Sequence, residues 1–138
     1  MGFRRFEESD IPQLLPWFND PDIQLHLSGF APPQEQFELI LGQVNRWAYV
    51  WEVAGEIQAF GEIELEETWV NLLIMVKGNS RKKGLGKKML LYLQAQKLAP
   101  YYHPYIDSQN RASISCFQGA GFYFVEEEEG MEKWEWKE

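Results

Sequence analysis

Cysteine is almost missing from this chain. Cys116 is the only one in 138 residues, so no intramolecular disulfide can form and a disulfide-stapled secreted scaffold is excluded. Histidine is nearly as scarce: His26 and His103, far apart in sequence, do not make a metal-ligand set, and no resident metal is expected. No stretch approaches the ~20 apolar residues that a membrane-crossing helix needs. There is no signal-peptide pattern, and Phe6 stands where a myristoylation signal needs Ser or Thr, so the opening residues read as a strand. A reducing cytoplasmic location is the default these absences leave. Positive charge is also in deficit, with 13 Lys and Arg against 21 Asp and Glu and a net charge of -8. General nucleic-acid binding, which rests on phosphate neutralisation, is therefore not expected; a cationic small molecule or basic peptide matches the charge better.

What is present suffices for a core. Hydrophobic residues make up 45% of the chain, and residues 1–138 are expected to form one domain. Phe3 to Glu7 reads as a first strand, followed by a helix capped by Ser9 or Asp10 with Pro12 in its first turn. A surface segment rich in turn residues follows, then a second helix over about Gln34–Asn45 with Phe37, Ile40, Leu41 and Val44 on its apolar face. The period then changes to two. Trp47, Tyr49, Trp51 and Val53 alternate, Ala54-Gly55 turns, and Ile57, Ala59, Gly61, Ile63 and Leu65 alternate again, with Glu62, Glu64 and Glu66 opposite. Trp69 to Val76 is nearly unbroken hydrophobic, as in a strand buried on both faces. A helix with Met89, Leu90, Leu93 and Leu98 follows and is ended by Pro100. Tyr105–Asp107 reads as a strand, Asn110 as the cap of a short helix to Gln118, and 122–125 and 131–137 as a closing hairpin. The order β-α-α-β-β-β-α-β-α-β-β predicts a mixed α/β (α+β) fold with a largely antiparallel sheet of about seven strands flanked by about four helices.

The stretch from Val76 to Leu90 carries the chemistry. It joins a buried strand to a helix through a basic, glycine-containing loop, an arrangement that binds anions through backbone N–H groups and the positive helix end. A Walker A loop fails, because Lys88 follows Gly86-Lys87 and Arg81 occupies the first glycine position. A dinucleotide fingerprint also fails, because Gly84-Leu85-Gly86 lacks its third glycine and follows antiparallel strands. The pattern that is met is [QR]-x-x-G-x-[GA], by Arg81-Lys82-Lys83-Gly84-Leu85-Gly86, five residues after Val76. A second motif, Asn110-x-x-Ser113 followed by Phe117 and Gly121-Phe122, is independent of the first. With both in place the chain resembles the GNAT family of N-acetyltransferases, and Ser9-Asp10-Ile11 and Trp17-Phe18-Asn19-Asp20-Pro21 resemble its ribosomal-protein and aminoglycoside N-acetyltransferase branch.

That resemblance implies acetyl-CoA as donor and an amine as acceptor, a cationic one fitting the acidic chain. It implies that the pantetheine arm pairs with the backbone of Ile74, Met75 and Val76, whose N–H groups polarise the acetyl carbonyl. The pyrophosphate is implied to sit on Arg81, Lys82, Lys83, Gly84, Leu85, Gly86 and Lys87, with glycine at 84 and 86 leaving room for phosphate. Asn110 is implied at the arm, beside its role as a cap, and Phe117 near the thioester. The chain departs from the family where acid and base usually stand: Phe117 replaces a tyrosine that protonates the thiolate, and Val70 replaces a glutamate base. Glu62, Glu64 and Glu66, as carboxylates reached through water, and Ser113, Ser115 or Cys116, near the thiolate, are the remaining candidates, each also readable as an ordinary surface or core residue. The acceptor side is implied to draw on Trp17, Phe30, Trp47, Trp134 and Trp136. A non-catalytic acyl-CoA-binding module or an interaction domain of the same fold is the alternative, and either a monomer or a homodimer fits.

Overall fold

A computed structural model describes residues 2–21, 23, 32–78 and 84–137. Among these described residues eight strands form one mixed sheet: β1 (Gly2–Arg5), β2 (Arg46–Val53), β3 (Glu56–Glu66), β4 (Trp69–Val76), β5 (Tyr101–Tyr102), β6 (Tyr105–Asp107), β7 (Tyr123–Glu128) and β8 (Met131–Lys137). The order runs β1-β2-β3-β4-β5-β8, with β6 and β7 on opposite edges of β8. Pairing is antiparallel except where β4 meets β5. The described helices are α1 (Ile11–Leu14), α2 (Pro33–Gly42), α3 (Leu85–Ala95) and α4 (Arg111–Gly119), and short 3-10 segments, Glu8–Asp10 and Leu15–Asn19, flank α1.

Each face of the sheet carries its own core. On one, α3 lays Gly86, Met89, Leu90, Leu93 and Gln94 against the strands at helical spacing, over Tyr49, Ala59, Ile63, Val70, Leu72 and Tyr102. Gly61 lets this helix come close, since a Cβ there would lie 2.9 Å from Met89. The buried Gln94 side chain ties α3 to α4 by donating to the Ala120 carbonyl at 2.9 Å. On the other face, α1 and α2 cover Ala48, Val50, Ile57, Phe60 and Met75, with Phe6, Phe37 and Phe60 meeting edge to face or tilted.

Several boundaries differ from the sequence expectations for local reasons. Asp10 stands at the N-cap of α1 without a side-chain cap bond; its buried carboxylate instead takes the N–H of Glu7, the N-cap of the preceding 3-10 segment, and both Nη groups of Arg4. Helix α2 ends at Gly42, so Val44 is fully exposed and outside the apolar face. Helix α3 ends at Ala95, and Lys97 with φ +51 turns the chain before Leu98 and Pro100. The alternation of β3 changes phase near Gln58, where its pairing with β2 is bulged; Ile57 therefore joins Phe60 on the α2 face while Ala59 and Ile63 stay on the α3 face. The single strand expected at Tyr105–Asp107 is the second half of an interrupted one. Tyr101–Tyr102 pairs with β4 and β8, Tyr105–Asp107 with β8 alone, and His103-Pro104 lies between. Much of the expected surface segment, with His26 and Phe30, lies outside the described residues.

Candidate active site

The interruption at Pro104 shapes the site. The His103 N–H still donates to the Val70 carbonyl at 2.7 Å, continuing the parallel ladder of β4 and β5. Pro104 has no N–H to give, and its carbonyl accepts from Trp134 of β8 at 3.1 Å. Tyr101–Tyr102 is bonded on both sides, to β4 and to β8, and after His103 only the β8 side continues, so the two halves of the sheet fork. Beyond the fork, among the described residues, no strand pairs with β4 on the side away from β3, and the backbone of Leu72 to Met75 forms an edge there. This edge contains Ile74 and Met75 and leads through Val76 toward the start of α3. An extended chain bearing amides can pair with such an edge as an added strand.

At the far end, Gly84 caps α3 in the left-handed region with φ 77, and the Lys88 N–H closes the first turn on the Gly84 carbonyl. Helix geometry leaves the N–H groups of Leu85, Gly86 and Lys87 without intrahelical partners. That of Lys87 donates to the Cys116 thiol, whose pKa burial nevertheless raises. Each of the two glycines also has a reason within the chain itself. A Cβ on Gly84 would meet nothing, so its requirement is conformational; a Cβ on Gly86 would lie 2.6 Å from Cys116 Sγ and 3.4 Å from Ile74 Cδ1, so its requirement is helix packing against α4 and β4. Gly84→Val should therefore cost about 1–2 kcal/mol in urea unfolding, whereas Gly84→Asn, which tolerates the left-handed region, should cost clearly less. Arg81, Lys82 and Lys83 lie outside the described residues. Lys87 is exposed, and the Lys88 ammonium sits 4.1 Å from the centre of the Trp51 ring.

The second motif divides. Asn110 caps α4, its Oδ1 accepting from the Ser113 N–H at 3.2 Å. Phe117 is 1% exposed and edge-on to Phe122, in the core cluster that also holds Leu72 of β4. Val70, at the position of the expected base, is buried on the same α3 face. Ser115 is exposed and Cys116 half-buried.

The carboxylates lie on the opposite, α2 face. Glu62 is not a solvated strand residue: it is 5% exposed, and its Oε1 accepts from Gln36 Nε2 at 2.8 Å and Arg46 Nη1 at 3.2 Å. Burial pushes its carboxyl up to about 7 against the opposing effects of Arg46 and Gln36, with Glu64 adding to the rise. Glu64 pairs with Arg46. The register sets Arg46 beside Glu64 and Glu64 beside Asn71. Continuing the β4–β5 and β5–β8 registers across the fork brings His103 beside Asn71 and Glu135 beside His103. A polar row, Arg46, Glu64, Asn71, His103 and Glu135, thus crosses the α2 face where the sheet divides.

Of the aromatic residues expected on the acceptor side, Trp134 belongs to the α3-side core, Trp47 and Trp136 pack against it, and Trp17 is buried among α1 and α2. Trp69 and Tyr101 stand beside the polar row: both rings are 5.9 Å from that of His103, one edge-on and the other stacked. Sequence reasoning did not single out His103, which lies in this row. Pro104 immediately after it, at the break of a short strand, was the available signal.

Neither a family model nor a curated protein matches the sequence. Solved structures do. The GNAT domain of S. lividans PAT superposes with a TM-score of 0.85 at 15% identity, over 99% of this chain and 89% of that one. Aminoglycoside acetyltransferase AAC(6')-Ib in complex with coenzyme A and kanamycin gives 0.80 at 20% identity, over 99% and 94%. A GNAT-family acetyltransferase from Streptococcus pneumoniae gives 0.74 at 15% identity, over 98% and 97%. The chain therefore has the GNAT fold.

Proposed function

We propose that this chain is an acetyl-CoA-dependent N-acetyltransferase of the GNAT family, moving an acetyl group directly to a primary amine of a small molecule or protein. The observation that carries the reading is the β4 edge: it runs from the fork at His103 to the N-terminus of α3, so one extended ligand can pair with a strand while its phosphates meet a helix end. The likeness to a GNAT enzyme solved with coenzyme A and kanamycin supports the same donor and an amine acceptor here. In this reading the backbone of Ile74, Met75 and Val76 holds the pantetheine arm, and Gly84, Leu85, Gly86 and Lys87, preceded by Arg81, Lys82 and Lys83, receive the pyrophosphate. Asn110 organises α4, and Phe117 supports the site from the core. Glu64 and Glu135, lying in the polar row, are the carboxylates of this face that suit a cationic amine, with Glu62 buried beside them.

CoA at a hundredfold its Kd should stabilise the chain by about 2.7 kcal/mol. Free thiol should be released from acetyl-CoA on at least one member of a panel of aminoglycosides, polyamines and N-terminal peptides. One observation favours the second reading, a binding module without catalysis: Val70 and Phe117 are buried apolar residues. Stabilisation by CoA with no turnover across the panel would select that reading; no stabilisation would remove both.

A further inference from the structure

His103 is the polar group at which the fork begins. Its backbone makes the last bond to β4, and its ring lies on the α2 face between Trp69 and Tyr101. The side chain is 18% exposed, and its Nδ1 is buried without a hydrogen-bond partner. The nearest carboxylate oxygen, Glu135 Oε2, is 3.9 Å from Nδ1, too far for a hydrogen bond yet close enough to favour the tautomer protonated there. That tautomer leaves the lone pair on Nε2.

We propose that His103 is the general base of the acetyl transfer, taking the proton that the acceptor ammonium must lose. This rests on the acetyltransferase reading above. A donor lying along Leu72 to Met75 with its phosphates at α3 brings its thioester to the fork, beside the imidazole. The ammonium gives one proton to Nε2, and the freed nitrogen lone pair attacks the thioester carbonyl. The N–C bond forms and the C–S bond breaks, with its electron pair leaving on sulfur. The second nitrogen proton passes to the thiolate, giving amide and CoA thiol, and the imidazolium returns its proton to water. An alkyl ammonium with a pKa of about 10.4 requires such an acceptor. Among the described residues, the charged groups facing the ring are Glu135, Lys133 and Lys137 of β8; burial and the two lysines keep the imidazole below its ordinary pKa while Glu135 opposes them, so the base is neutral at pH 7. Trp69 and Tyr101 add aromatic faces that suit an incoming cation.

Two measurements on the full chain decide this. The first follows the His103 imidazole by NMR, assigned by comparison with His103→Gln, through a pH titration with and without saturating CoA, whose binding is measured calorimetrically. The resonance should titrate below the ordinary histidine value and shift when CoA binds. The second compares His103→Gln with the unaltered chain on the amine found by the panel: kcat should fall about 100-fold with the KM for acetyl-CoA unchanged, and the acid limb of the pH profile should disappear. CoA binding without a His103 shift, or a variant that keeps the acid limb, overturns His103 as base and leaves the acetyltransferase reading standing. Absence of CoA binding overturns the acetyltransferase reading and His103 with it.

Discussion

Between pH 4.5 and pH 8 the chain should lose on the order of 3 kcal/mol of folding stability through one buried side chain, and Glu62→Gln should abolish that loss. The Glu62 carboxyl moves from an ordinary 4.5 to about 7 on folding, with burial as the principal cause; at ~1.4 kcal/mol per unit this gives the magnitude. The sign follows from proton binding. The folded chain holds this proton more tightly than the unfolded one, so the contribution is complete below pH 4.5 and is lost as pH rises through about 7. His103 works in the opposite sense, because its folded pKa is depressed and its contribution appears as pH rises toward 6.5. The comparison is therefore made at each pH between the unaltered chain and the variant, by urea unfolding. Parallel stability–pH curves for the two proteins would show that Glu62 stays ionised throughout and that Arg46 and Gln36 outweigh its desolvation.

Gly86→Val should destabilise the chain by about 3 kcal/mol, at the upper end of what overpacking a tight contact costs. The added Cβ meets the Cys116 thiol at 2.6 Å, and the thiol cannot swing aside without giving up the Lys87 N–H. The smaller Gly86→Ala tests the mechanism through a double-mutant cycle. Alone it should cost about 1–3 kcal/mol; in a Cys116→Ala background, where the nearest remaining atoms are the Cβ at 116 and Ile74 Cδ1, both at 3.4 Å, most of that cost should vanish. A cost unchanged by Cys116→Ala would mean that Ile74 or the loop, and not α4, sets the limit. CoA titrations of the same variants separate packing from binding. If glycine at 86 serves only the seat of α3, Gly86→Ala/Cys116→Ala should bind CoA like Cys116→Ala.

Much of the fold was legible because its elements state themselves locally. The two-residue periodicity of β2 and β3, the punctuation at Ala54-Gly55 and 67–68, and the spacing of Met89, Leu90 and Leu93 are each readable from a short window, and all stand in the structure. The phase change near Gln58 was not legible, because Ile57 is apolar on either face and only pairing with β2 reveals the bulge. Glu62 was misread for a related reason. Alternation correctly put it opposite Ile63, but that face is covered by α2, and burial depends on contacts between residues 26 apart. The strand Trp69–Val76 and the helix beginning at Leu85, between which the proposed donor would lie, were readable in sequence order. The polar row was not, since Arg46, Glu64, Asn71, His103 and Glu135 come from five segments and meet only through sheet register.

The strand broken at Pro104 has a consequence for how a ligand enters. Sheets are normally pried apart only by giving up ladder hydrogen bonds, each group then left dry or returned to water. Here the strand after His103 keeps its bonds to β8 and, among the described residues, none to Leu72–Met75 of β4, so no ladder bond between the two half-sheets has to be broken to occupy that edge. A ligand sliding into the fork exchanges water for strand, a nearly level trade in hydrogen bonds, and meets a backbone already ordered. Affinity for the donor can then be spent on holding its thioester still rather than on opening the protein.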